Sequence, residues 1–114
     1  MTDKDARKRA AAEYKQRKRR AGVFAVRCSA TGHAWVGATP TLDTEKNKRW
    51  FMLRTGAERD AALLAEWRAH GESAFTYEVL EELEDDVPEM LVSDQLAKKK
   101  HDWAARENAP VLLR

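Results

Sequence analysis

The chain has 114 residues, 43% of them hydrophobic and 35% charged, an ordinary soluble balance that fits one globular domain rather than a disordered chain. Its single cysteine, Cys28, excludes an intramolecular disulfide and a cysteine-rich metal site. No apolar stretch reaches membrane-spanning length and no apolar core follows the charged N-terminus, so no membrane partner and a cytoplasmic location are expected.

The net charge of +2 conceals an asymmetry. Residues 1–20 hold nine Lys/Arg against three Asp/Glu, and the rest holds 12 against 16, so an arm of +6 precedes a body of −4. Residues 3–20 lack Gly and Pro and are rich in Ala, Lys, Arg and Glu, which predicts a helix once something docks it. Its apolar stripe is thin: Ala6, Ala10, Ala11 and Tyr14. Two readings stand, a solvated and partly frayed helix or an arm that contacts phosphates with strong salt dependence. Arginine outnumbers lysine five to four there, which leans toward phosphate.

Ala21-Gly22 breaks that helix. Val23-Phe24-Ala25-Val26 and Ala34-Trp35-Val36 are β-type runs with Thr31-Gly32 between them as turn chemistry, a β-hairpin. Pro40 has no ladder donor and ends the second strand. Thr41 is the expected N-cap of a helix from Leu42 to about Arg54, with Glu45 near the capping-box position, Asp43 at the positive end and Gly56 as the stop. Asn47, Trp50, Phe51 and Arg54 fall close to one face, and Phe51 and Leu53 are the core candidates.

A second helix is expected from about Glu58 to His70, with Ala61, Leu64, Ala65 and Arg68 at helical spacing and Leu63 and Trp67 a step away. Gly71 ends it. Phe75 to Leu80 reads as a third strand. The acidic stretch Glu81 to Asp86 leads into a last helix, about Pro88 to Arg106, with Pro88 in its first turn and Val92, Leu96, Lys99 and Trp103 on one side. Asn108-Ala109-Pro110 stops it and leaves an apolar tail, Val111, Leu112 and Leu113. The organisation expected is a basic helical arm at 1–20, a domain at 21–107 and a tail at 108–114.

The triplets Gly22-Val23-Phe24 and Trp35-Val36-Gly37, with ten residues between them, resemble the signature of the GIY-YIG nuclease superfamily. Phe24 and Trp35 stand where that family has tyrosines. Trp67-Arg68-Ala69-His70-Gly71-Glu72-Ser73-Ala74-Phe75 is similar to the family's W-x-x-H-G-x-x-x-F, and Val79-Leu80-Glu81 to its strand ending V-L-E. The order hairpin, helix, helix, strand, helix agrees with it, and the resemblance covers about residues 21–107. It implies an α+β fold, a small three-stranded antiparallel sheet flanked by helices.

The chemistry the resemblance implies is metal-assisted phosphodiester hydrolysis: tyrosines that position or deprotonate water, an arginine on the first helix that stabilises the scissile phosphate, and a glutamate on the last helix that holds a divalent cation. Carried over by residue, the catalytic positions are impaired. Phe24 has no ionisable oxygen, and Trp35 donates an indole N–H but cannot act as a base. Ungapped counting from Trp35 puts Glu45 at the arginine position, with Arg49 one turn later and Lys48 beside it as displaced cations. Aligning on Trp103 puts Lys100 at the glutamate position, where a protonated lysine cannot ligate Mg²⁺; Asp94 and Asp102 are poorly placed replacements. Lys100 is then either a surface lysine or an ammonium in place of the metal.

Of the remaining residues, His70 reads as a helix-end residue, His33 as a turn histidine within reach of phosphate, and His101 as lacking a ligand partner. Cys28 reads as a small buried filler and Trp50 and Trp67 as core; Trp35 is placed at a cleft by the resemblance alone. The expected function is nucleic-acid binding by a protein similar to GIY-YIG nucleases but degenerate in its catalytic residues, with no metal or cofactor. Its phosphate contacts would come from Arg17, Lys18, Arg19, Arg20, Lys48, Arg49, Lys98, Lys99 and Lys100, without base-sequence readout. Two alternatives stay open. One is a Mg²⁺-dependent nuclease with Arg49 as phosphate clamp and Asp94 or Glu89 as metal ligand. The other is a module binding a protein partner through the old cleft and the acidic Glu81–Asp86 segment.

Overall fold

The computed structural model describes residues 20–84 and 86–112. Three strands, β1 (Gly22–Cys28), β2 (Ala34–Thr39) and β3 (Phe75–Glu82), form an antiparallel sheet in the order β2–β1–β3. Among the described residues three α-helices complete an α+β fold: α1 (Leu42–Thr55), α2 (Ala61–His70) and α3 (Glu89–Glu107). The basic arm lies outside the described residues except for Arg20. Among the described residues no helix is long and apolar enough to cross a membrane.

The central strand explains the layering. β1 is apolar along almost its whole length, so both of its faces must be covered. Phe24, Val26 and Cys28 pack under Leu42, Trp50 and Leu53 of α1 and Leu63 and Trp67 of α2. Val23, on the opposite face, packs with Val36 and Ala104, against which Trp103 of α3 lies. Leu96 of α3 closes the far end with Ala21 and Leu83. The expected apolar side of the last helix is the one it uses.

The ladder carries one irregularity that matters. Val23 pairs with Glu81 and Phe24 with Val79, so Leu80 is an extra residue on β3. Strict alternation would send Glu81 to the α1 side. The bulge turns it toward α3 instead, where it accepts hydrogen bonds from Lys99 and from Trp103 Nε1, the latter at 2.8 Å.

The elements depart from expectation in a cap, a helix start and two buried faces. Thr41 makes no side-chain cap; its carbonyl accepts from Thr44 and Glu45 instead, and Glu45 turns inward. α2 begins at Ala61 rather than Glu58, because the Asp60 carboxylate accepts from the Leu63 amide and sets the start there. Its buried residues are Leu63 and Trp67, not the Ala61–Leu64–Ala65–Arg68 stripe. Phe51, expected in the core, is 63% exposed. The buried face of α1 is Leu42, Glu45, Arg49 and Leu53, at spacings of three, four and four, with Trp50 beside it; Phe51 lies opposite.

The apolar tail is part of the sheet edge. Val111 forms a parallel bridge with Val36; the Val36 amide donates to the Pro110 carbonyl (3.0 Å) and the Leu112 amide to the Val36 carbonyl (2.7 Å). Leu112 is buried in the main core with Phe24 and Trp35. This short strap covers part of the free edge of β2.

Candidate functional site

Phe24 is 0% exposed. Its ring stacks on Tyr77 with centroids 5.2 Å apart, and the Arg49 guanidinium carbon lies 5.9 Å from its centre. The register places Gly37 opposite it. A β-carbon at Gly37 would come within 2.6 Å of Phe24 Cζ and 3.1 Å of Leu112 Cδ1. A β-carbon at Gly22 would lie 2.2 Å from the Glu81 carbonyl oxygen. The glycines of the two triplets therefore let the Phe24 ring and the β3 backbone approach β2 and β1. Leu112 completes this packing.

Arg49 does not reach solvent as a phosphate clamp. Its Nη1 donates to both carboxylate oxygens of Glu58 at 2.8 Å, and its Nη2 donates to Glu45 at 2.8 Å. The Glu58 side chain is 0% exposed. Burial alone would push the guanidinium down, but the hydrogen bonds and charges of Glu58 and Glu45 outweigh it and hold it above its ordinary value. Arg49 Nε is buried without a hydrogen-bond partner among the described residues. The position counted as the family arginine, Glu45, thus sits in one ion triad with its neighbour a turn away.

Tyr77 brings a phenol beside Phe24, a residue the sequence reading did not single out. Its hydroxyl donates to the Leu42 carbonyl at 3.4 Å, and burial, reinforced by the Glu45 charge, pushes it up to about 12. A phenol held protonated that strongly is a poor base near neutral pH.

Trp35 is buried in the core, and at its margin lies a cavity of about 420 Å³ between the hairpin tip, α2 and the end of α3. His33, Glu66, Arg27, Glu107 and Asn108 help to line it. Its cation is neutralised: Arg27 donates to Glu107 at 2.9 Å and to Glu78 at 3.4 Å. His33 Nδ1 lies 2.6 Å from Glu66, which also accepts from the Thr31 hydroxyl at 2.6 Å. Burial raises the Glu66 carboxyl, but those two partners outweigh it and hold it below the usual range. His33 thus ties the hairpin tip to α2.

The residues do not fit a divalent cation where the resemblance would put one. Lys100 is a donor, Lys99 and Trp103 occupy the Glu81 carboxylate, and no group of three His, Cys, Asp or Glu among the described residues could hold a metal. Of the candidate phosphate contacts, Arg20 is held by Glu82 and Asp43, Arg49 by Glu58 and Glu45, and Lys99 by Glu81. Lys48 and Lys98 are exposed and Lys100 half-buried, none in an ion pair with another described residue. Arg17, Lys18 and Arg19 lie outside the described residues. Asp43 and Glu82 could not be assigned to Arg20 from sequence, because they lie 23 and 62 positions away. Glu45 and Arg49 stand one turn apart on one helical face, yet the sequence reads Arg49 as a cation for phosphate rather than as the partner of Glu45.

No family model matches the chain, and no curated protein does. Two solved structures are similar to it, both of the catalytic domain of I-TevI. One, of a point mutant of that intron endonuclease, aligns at a TM-score of 0.67 and 17% identity over 78% of this chain and 84% of that one. The other, of the homing endonuclease, aligns at 0.67 and 15% over 82% and 99%. At such identities the likeness is one of fold. The chain thus shares the α+β fold of the I-TevI catalytic domain.

Proposed function

We propose that this chain is a catalytically silent protein of GIY-YIG-like fold that binds nucleic acid through phosphate contacts without cleaving it. The observation that carries the first half is the filled cleft. Where the resemblance would place a tyrosine there is a fully buried Phe24, and the nearest arginine is committed to Glu45 and Glu58. General-base catalysis supplies about 10²–10⁴-fold and a metal clamp several kcal/mol more; a pocket lacking both retains little turnover.

Binding is supported by the +6 of residues 1–20 and by Lys48, Lys98 and Lys100, which meet no carboxylate among the described residues. The test is anisotropy of a labelled duplex at about 50 and 200 mM salt, where several phosphate contacts would weaken affinity by orders of magnitude. Affinity independent of salt contradicts the proposal. So does strand scission of the same duplex in Mg²⁺ or Mn²⁺.

A further inference from the structure

The exposed face of α1 combines features that the filled cleft does not use. Phe51 lies at its centre, 63% exposed and opposite the buried line of Leu42, Glu45, Arg49 and Leu53. Asn47 and Lys48 precede it by four and three residues, Thr44 by seven, and all three are exposed. A single exposed phenylalanine is ordinary. Its surroundings are what distinguish this one.

The acidic residues at the start of α1 are withdrawn from that face: Asp43 is bound by Arg20 and Glu45 by Arg49. Lys48 is left without a carboxylate among the described residues, and the Asn47 amide offers two donors and an acceptor. The helical neighbours of Phe51 at three and four residues, Asn47, Lys48, Arg54 and Thr55, are polar and exposed, so among the described residues this face of α1 carries no apolar ring. A protein hot spot is a packed apolar centre with a polar rim, and this face has no such extent. An isolated aromatic plane beside a cation and an amide suits a nucleobase, which stacks on the ring while its phosphate meets the lysine.

We propose that α1 binds unpaired nucleic acid, with Phe51 stacking on one exposed base, Lys48 contacting the adjacent phosphate and Asn47 hydrogen-bonding the base edge. The inference rests on the reading of the chain as a nucleic-acid binder and names the strand it prefers. Bases in a duplex are stacked on one another and offer Phe51 no free face, so single strands and loops are the substrates.

The test measures anisotropy of the whole chain with labelled single-stranded DNA, single-stranded RNA of the same sequence, and the duplex. Phe51→Ala weakens strand binding by about fivefold or more, leaves duplex binding within twofold and leaves the thermal melt in place; Phe51→Tyr restores the strand affinity. Lys48→Gln weakens every probe and makes the single-strand salt slope shallower by about 0.7. Equal strand affinities for the wild type and Phe51→Ala overturn the α1 site while leaving phosphate-led binding intact. Self-association abolished by Phe51→Ala with unchanged strand affinity overturns it in favour of a second copy. A wild-type chain that binds none of the three probes overturns the broader reading as well.

Discussion

Arg49 sits where two carboxylates converge, and the triad it forms with Glu45 and Glu58 is buried between α1 and the segment leading into α2. Removing one partner of a buried charge network costs about 3–5 kcal/mol, because the charges left behind have neither water nor a counterion. Arg49→Met should therefore lower the urea midpoint by that equivalent, whereas Lys48→Gln, one residue away and exposed, should leave it unchanged. A midpoint unmoved in Arg49→Met would show that the triad is not formed in solution. Gly37→Ala tests the packing beside it. The added methyl meets Phe24 and Leu112 and should cost about 1–3 kcal/mol. Shortening the ring in the double variant with Phe24→Leu should recover much of that loss, and additive costs would mean the two residues do not touch.

The β3 bulge and the C-terminal strap act as elements. Glu81, turned toward α3 by the bulge, is held below the ordinary carboxylate range by the hydrogen bonds from Lys99 and Trp103. A depressed folded value contributes stability that is complete above the unfolded value and is lost as pH falls through the folded one. Acid unfolding should thus set in below about pH 4.5, and Glu81→Gln should flatten that limb while leaving neutral-pH stability lower. Leu112→Ala removes a buried side chain from the main core and should cost about 2–4 kcal/mol in a denaturant titration. A cost near zero would mean that the strap is only loosely attached.

How much of this was legible follows from the same elements. The hairpin, the order of helices and the third strand were readable because β-formers, glycines and Pro40 sit at the turns and termini they specify. The inward face of α1 was not, because two of its four positions are Glu45 and Arg49, and charges interrupt the apolar period on which the reading depends. Phe51 was then drawn into the core by its hydrophobicity alone. Glu58 was unreadable as Arg49's partner, and the strap was unreadable as part of the sheet, because both depend on residues brought together by the fold.

For the molecule as a whole, helices cover both faces of the three-stranded sheet, and apolar side chains fill the space on each side of its central strand. Charge is distributed unevenly: the arm carries +6 and the remainder −4, and in the described domain Arg20, Arg27, Arg49, Arg54 and Lys99 are paired with carboxylates. The arm should accordingly dominate long-range attraction to a polyanion, so a chain lacking residues 1–19 should show a markedly shallower salt slope in duplex binding. The most direct test of the account is incubation of the purified full chain with supercoiled plasmid in Mg²⁺ and in Mn²⁺, beside the Arg49→Ala variant. No nicked or linear product should form with either protein. Metal-dependent nicked or linear product from the wild type would contradict catalytic silence.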